Sequence, residues 1–493
     1  MEAIMPILQM RQATAPSNAI EVFNTLNSSM PGTFRPLIAP TLASQADILG
    51  FPVDTLRRRP PRRVYEYELA PASRSMPQRA ELFTDGTSLF VVTLVEQEPV
   101  RRSRARGTVS LEAETHKPPE PLLQAYYIGL ELNSPRLGQF EQAINQAFGV
   151  ELKPFFYSAN RFEELIAEGR AAPTAPSATE LESARALCNR ATRALAIAIK
   201  ASGGLLVRDL AKQLPADARD RTDDIQSALR SVGLVGAEIV VVCSKTQAQT
   251  ARVPSMEILQ ALSKQGLKCA CGRPVTDERI EEALTITELG RTLLDRSRWL
   301  TIILLDELAA VGVPIEKTLI EHQAGGDEMD LLADVSGELV FFELKDKEFN
   351  LGNAYSFEAK IGIIQPNHPV IVSTEHVGND AKDHFQRARL ARAPSPSTSP
   401  SARYYPKEEA TEIKYTEGLE NLQGDVRQLA SAIYGGDATR ILSQVLAMAS
   451  LDARSLIEAL EASAVVATQT PTKSTGTLAA CRVAGAHCCA PAP

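Results

Sequence analysis

Residues 327–345 read Asp327-Glu328-Met329-Asp330-Leu331-Leu332-Ala333-Asp334-Val335-Ser336-Gly337-Glu338-Leu339-Val340-Phe341-Phe342-Glu343-Leu344-Lys345. Two apolar runs flank a Ser-Gly pair, which predicts a strand over 328–335, a short turn, and a strand over 338–345. Side chains alternate on a strand, so Glu343 and Lys345 share one face while Leu344 takes the other. A hairpin of this length brings Asp330 close to Glu343. Two carboxylates and one ammonium then converge at the end of a very apolar strand, where burying charge is costly unless the groups pair or hold a metal. Hard oxygen ligands with room for water suit Mg²⁺.

Upstream, Thr285-Ile286-Thr287-Glu288 predicts a capping box for one long helix. Its apolar face is Leu289, Leu293, Leu294, Trp299, Ile302, Ile303, Leu305 and Leu308, and it ends near Gly312-Val313-Pro314. Thr318 to His322 reads as extended, before a turn at Gly325-Gly326. Downstream come a helix through Tyr355 to Ile361, a buried-type strand over 370–373 and a helix from near Asn379. The order over 284–392 is helix, three strands, helix, strand, helix.

That order, with Asp330 separated by twelve residues from Glu343-Leu344-Lys345, resembles the PD-(D/E)xK nuclease superfamily. The resemblance covers roughly a fifth of the chain and implies a restriction-endonuclease-like α-β-β-β-α-β core. It implies a divalent-metal-dependent endonuclease that hydrolyses phosphodiester bonds of DNA, with RNA less favoured, using Mg²⁺ or Mn²⁺. It also implies a setting in bacterial restriction or antiviral defence, with a homo-oligomer or a defence-system partner. Asp330 and Glu343 would bind the metal, the Leu344 carbonyl would add a ligand, and Lys345 would position or help deprotonate the attacking water. Glu307, or Asp306, matches an additional acid on the preceding helix. Some branches carry Gln and Tyr on the following helix; Tyr355 is present, but Leu351 stands where the Gln would be, and Met329 replaces the usual Pro. Glu358 and Lys360 on that helix, with Tyr355, are candidates to meet phosphate or support the ligands. The competing reading is a set of surface salt bridges among Asp330, Glu343, Lys345 and Lys347. On that reading the chain is a non-catalytic DNA-binding or regulatory protein on a degenerate nuclease fold.

The remainder of the 493 residues predicts a multidomain α+β or α/β protein. Residues 1–63 read as a flexible arm, 64–168 as a small α+β domain with a hairpin around Asp85-Gly86, and 179–266 as a winged-helix-like domain. In a winged helix that reads DNA the third helix, here from Thr222 to Val232, would present Gln226, Ser227 and Arg230 to the groove; with Asp223 and Asp224 on the same helix, protein contact or a purely structural role is the other reading. A Cys-containing connector (267–283) precedes the nuclease-like unit. A Pro/Ser linker (393–410), a segment of two helices (411–462) and a disordered tail (463–493) follow it. Cys269-Ala270-Cys271-Gly272 looks like half a zinc knuckle, but zinc needs four ligands and the nearest candidate is Cys243 on a strand, so zinc is disfavoured. His322, His368, His376 and His384 lack metal-ligand spacing, although His376 would approach the site if its strand ran beside that of Glu343.

Lys+Arg 52 against Asp+Glu 60 gives a net charge of −8, which excludes nucleic-acid coating by bulk positive charge. Local contact is still open to the arginine clumps at 57–63 and 101–106. Scattered, odd-numbered cysteines and an opening without a basic start or apolar run predict a reducing, cytoplasmic setting without a membrane.

Overall fold

The computed structural model describes residues 7–49, 77–95, 121–132, 134–168, 174–392 and 412–446. The arginine clumps, the Pro/Ser linker and the C-terminal tail lie outside them.

The first unit holds β1 (Ile7–Thr14), α1 (Ala19–Ser29), β2 (Arg35–Pro36), α2 (Ile38–Leu49), β3 (Pro77–Thr84), β4 (Leu89–Val95), β5 (Leu122–Gly129), α3 (Pro135–Phe148), β6 (Lys153–Phe155) and α4 (Asn160–Glu168). Its sheet runs β2-β3-β4-β5-β1-β6, and the Asp85-Gly86 hairpin is present. The expected arm is different over residues 7–49: β1 is an interior strand, antiparallel to both β5 and β6. Leu8 and Met10 are both buried, a short alternation that only a waiting sheet makes into a strand. One face of this sheet packs Phe83, Phe90 and Tyr127 against Phe23 of α1 and Phe140 of α3.

The second unit contains α5 (Ala178–Cys188), α6 (Arg190–Ala201), β7 (Leu205–Leu206), α7 (Leu210–Gln213), α8 (Thr222–Ser231), β8 (Val235–Val242), β9 (Gln249–Val253), α9 (Met256–Lys264) and β10 (Arg279–Ile286). The expected helices and two-stranded wing are there, with two corrections. Residues 179–200, which read as one long helix, are broken at Asn189, whose extended backbone and side chain cap α6. The wing is part of a four-stranded sheet, β7-β10-β8-β9, so residues 279–286 belong here and are not connector or helix cap. Thr285 and Ile286 pair with Gly236 and Val235. The cap is Thr287, whose Oγ1 accepts from Gly290 N at 3.1 Å.

The third unit comprises α10 (Glu288–Leu294), α11 (Arg298–Ala310), β11 (Thr318–Ala324), β12 (Asp327–Val335), β13 (Glu338–Lys345), α12 (Leu351–Ile364), β14 (His368–Ser373), α13 (Asn379–Arg392), β15 (Lys414–Glu417) and α14 (Leu419–Leu446). The single long helix expected from 285 is two, because Arg296 and Ser297 adopt positive φ (49° and 57°). The sheet order is β11-β12-β13-β14-β15, antiparallel up to β13 and parallel from there on. Ser336 and Gly337, both at positive φ (54° and 87°), close the β12–β13 hairpin in the sense that matches strand twist. Strand β15 lies beyond the expected unit. The two C-terminal helices are one over the described residues, running through Gly435-Gly436. Each glycine costs about 1 kcal/mol in a helix, offset here by burial of Tyr434, Ala438, Ile441 and Leu442 on either side.

Both faces of this third sheet are covered. Leu331, Ala333, Val340, Phe342, Leu344 and Val372 pack into one core with α11 and α14. Leu332, Leu339, Phe341 and Ile371 pack on the other side with Phe357 of α12 and Phe385 of α13. Burying both faces explains why β13 reads as an unbroken apolar run until Glu343. Over the described residues the chain is thus a mixed α/β protein of several units built on three sheets. No helix among the described residues is long and apolar enough to cross a membrane.

Candidate active site at the end of strand β13

The antiparallel register joins Leu331 to Phe342 and runs to Val335 opposite Glu338. Extended by one step, it sets Asp330 opposite Glu343, and cross-strand partners share a face. The ladder stops there on both sides of Asp330. On β11, Ile320 pairs with Leu331 and His322 with Met329, while Glu321 between them has φ of 48° and drops out. On β13, the Leu344 N–H donates to Asp330 Oδ2 at 2.7 Å. Thr374 N donates to the Lys345 carbonyl on the β14 side at 3.0 Å. Since successive carbonyls alternate along a strand, the Leu344 carbonyl leaves on the opposite edge, toward Asp330.

Glu343 is 2% exposed, so the surface salt-bridge reading does not describe it. Lys345 Nζ lies 2.9 Å from its Oε1, and Lys360 Nζ from α12 lies 2.8 Å from its Oε2. Lys360 is itself 7% exposed, and pairing is what makes two such buried charges tolerable. Burial, and then the charge on Glu343, push the Asp330 carboxyl up to about 6, against the pull of Lys345. Burial alone would lower the Lys345 ammonium; Glu343 and Asp330 outweigh it and hold Lys345 above its ordinary value. Lys347 is not in the Glu343 network.

The other expected residues divide. Glu307 points elsewhere: burial raises it, a hydrogen bond with Gln423 opposes that, and Asp306, Arg427 and Arg185 are its charged neighbours. Asp306 pairs with Arg185 at 2.8 Å. The helix periodicity places both acids toward α5 and α14, away from the end of β13. Tyr355 is 58% exposed and stacks edge-on to His384, with ring centres 4.6 Å apart. Glu358 also meets His384, at 2.7 Å; of the three α12 candidates, Lys360 enters the site. His376 meets Glu348 at 3.3 Å and His368 meets Glu338; neither reaches Glu343. On α8, Ser227 is exposed, whereas Arg230 is tied to Glu282 of β10 at 2.8 Å.

One linkage had no sequence signal. Arg193 of α6 donates to the carbonyls of Leu187 (2.8 Å) and Cys188 (3.2 Å) at the end of α5. It also pairs with Asp346 at 2.9 Å and lies 5.0 Å from the Trp299 ring centre. Asp346 directly follows Lys345, so the second unit grips the end of β13 through one buried arginine.

No protein-family model matches the chain, and no curated protein is found similar to it. Among solved structures, the protein VC1899 from Vibrio cholerae is similar at 10% identity with a TM-score of 0.27, over 57% of this chain and 58% of that one. This chain therefore spans little more than half of that protein's length, and so slight a likeness carries no argument about fold or activity.

Proposed function

We propose that the chain is a divalent-metal-dependent endonuclease of the PD-(D/E)xK type, acting on DNA. The observation that carries this reading is the pairing of Asp330 and Glu343 at the point where the β11–β12–β13 ladder opens. The helix–three-strand–helix–strand order around it supports the same reading. The donor set fits a hard cation: two carboxylates and the Leu344 carbonyl converge on one edge, and the Asp330 carboxyl, raised first by burial and then by Glu343, is a buried charge that a cation would stabilise. Bound there, Mg²⁺ or Mn²⁺ supplies Lewis-acid stabilisation of the charge that builds on a phosphodiester under attack.

The chain's own residues have distinct parts. Asp330 is held in place by the Leu344 N–H and Glu343 by two ammoniums. Lys345 is kept charged, so its Nζ acts as a donor that orients a water or a phosphate oxygen, and not as the base that first takes a proton. Lys360 neutralises Glu343 from within the core and fixes its position.

A second reading rests on the same Glu343: both its oxygens are engaged by lysines, as in a metal-free ion network that only braces a binding protein. Incubation of the purified chain with plasmid DNA, and separately with RNA, under Mg²⁺ or Mn²⁺ separates the two. Metal-dependent nicking that disappears in Asp330→Ala and Lys345→Ala supports the nuclease; no cleavage of either nucleic acid with any divalent metal leaves the binding protein.

A further inference from the structure

Cys243 directly follows β8, Cys269 and Cys271 sit in a turn closed by the Lys268–Pro274 bridge, and Glu278 immediately precedes β10. Twenty-five residues separate Cys243 from Cys269 in the chain, yet the three sulfurs and one Glu278 oxygen lie within 4.8 Å of one another. A tetrahedral zinc site with Zn–S near 2.3 Å has sulfur–sulfur edges of about 3.8 Å, so the four ligand atoms already stand at roughly coordinating separations. Cys243, Cys269 and Glu278 are 2%, 3% and 6% exposed.

The surroundings are those of a built site. Thr246 N–H donates to Cys243 Sγ at 3.4 Å, and Thr250 Oγ1 lies 3.3 Å from Cys269 Sγ. Gly272, at φ of 92°, turns the chain so that its N–H donates to the Cys269 carbonyl at 2.8 Å; a side chain there would strain the turn. Glu278 has its two oxygens divided. Oε2 accepts from Ser244 N (2.6 Å) and from Arg273 (3.1 Å), while Oε1 accepts from the Cys271 thiol at 2.9 Å. A carboxylate buried among three thiols is a poor choice for a metal-free core and a good one for a fourth ligand. The packed core beside it is small: Val241, Val253, Leu259 and Val275 are its buried members.

We propose that Cys243, Cys269, Cys271 and Glu278 hold one structural zinc ion that ties the wing hairpin to the start of β10. With four protein ligands the site is closed, which suits a structural and not a catalytic ion. Binding releases the protons of the coordinating thiols, so zinc affinity falls as the pH is lowered.

The test uses the full-length chain carrying Asp330→Asn, so that the β13 carboxylates do not contribute metal. Purified reduced from zinc-replete cells, it should contain one zinc per chain, with Cys243, Cys269 and Cys271 shielded from alkylation while Cys188 reacts. Replacement by Co²⁺ should give thiolate-to-cobalt charge transfer and tetrahedral visible bands. Those bands should weaken in Glu278→Gln and strengthen in Glu278→Cys, which adds a fourth thiolate. Because a cysteine variant can misfold, the decisive readings are on the parent chain. Substoichiometric zinc with no cobalt spectrum, cysteines that alkylate as fast as Cys188, or a disulfide among the three would overturn the proposal. So would a cobalt spectrum indifferent to Glu278.

Discussion

At the end of β13, two carboxylates face each other across neighbouring strands, and two lysines stand 2.8 and 2.9 Å from Glu343. At the end of β8, three sulfurs and a carboxylate gather with one arginine at the rim. The first cluster is oxygen-rich, self-neutralised and set at an opening in a ladder. The second is sulfur-rich, anionic when its thiols ionise, and enclosed by turns. Ligand softness and openness both differ, and those two properties separate a weakly held, exchangeable hard cation from a permanently held soft one. On the nuclease reading, the lysines are the charges that would stand in for the cation when it is gone.

The most severe way to break this contrast is to delete the open site's charges. Lys345→Ala and Asp330→Ala should each lower DNA cleavage by about 10²-fold or more, measured as initial nicking rates at saturating Mg²⁺, with zinc content unchanged. A variant that cuts at the parental rate would remove Asp330 or Lys345 from the chemistry.

Lys360→Met tests the internal counter-charge. Removing one partner of a buried ion pair costs about 3–5 kcal/mol, and the remaining Lys345 contact should keep the loss near the lower end. Chemical denaturation of metal-free protein measures it. If Mg²⁺ restores a substantial part of the loss, the cation and Lys360 serve the same carboxylate. Arg193→Ala should likewise destabilise the chain and loosen the join between the second unit and Asp346. Separation of one unfolding transition into two would be its signature.

Asp330→Asn should act oppositely on stability and metal binding. The folded-state carboxyl titrates at about 6, above its ordinary 3.8, so the folded chain holds this proton more tightly than the unfolded one. Ionised Asp330 therefore costs stability above pH 6, and the cost fades as the pH falls toward 3.8. Metal-free Asp330→Asn should melt higher than the parent at pH 7.5, by at most about 3 kcal/mol, and the gain should shrink by pH 5. The parent's Mg²⁺ affinity should drop as pH falls through 6, where protons compete for Asp330. A melting difference constant with pH would mean that Asp330 carries no buried charge.

The smallest change is a choice of chelator. Brief EDTA treatment should stop cleavage, reversibly on adding Mg²⁺, while leaving the zinc in place. Simultaneous loss of both would show that the two sites do not differ in exchange.

How far each site was legible follows from how it is built. Asp330, Glu343 and Lys345 lie on two strands joined by a two-residue turn, so alternation and register brought them together on paper. Lys360 was a candidate on the next helix beside Tyr355 and Glu358, but which of the three would turn inward was not legible, because which way an amphipathic helix turns depends on the sheet it covers. Glu307 failed for the same reason: helical spacing put it near the right turn of α11, and packing against α14 turned it away. The disfavoured zinc half-knuckle looked incomplete because the two further ligands proposed for it, Cys243 and Glu278, lie beside the ends of two paired strands and have no local pattern. A carboxylate seven residues after Cys271 was the hint the sequence offered.

By itself, the sequence determined the local elements: the β12–β13 hairpin, the helix–strand order around it, the wing helices, and the face that Glu343 and Lys345 share. These follow from periods of 2 and 3.6 residues and from turn chemistry, which act over a few neighbours. Only the tertiary structure decided that β1 completes a sheet with strands more than a hundred residues away, and that β10 belongs to the wing. It also decided that Lys360 and Arg193 reach the end of β13 and that three cysteines gather beside Glu278. Those outcomes depend on which apolar faces cover one another, a long-range competition for burial that no short window of residues encodes.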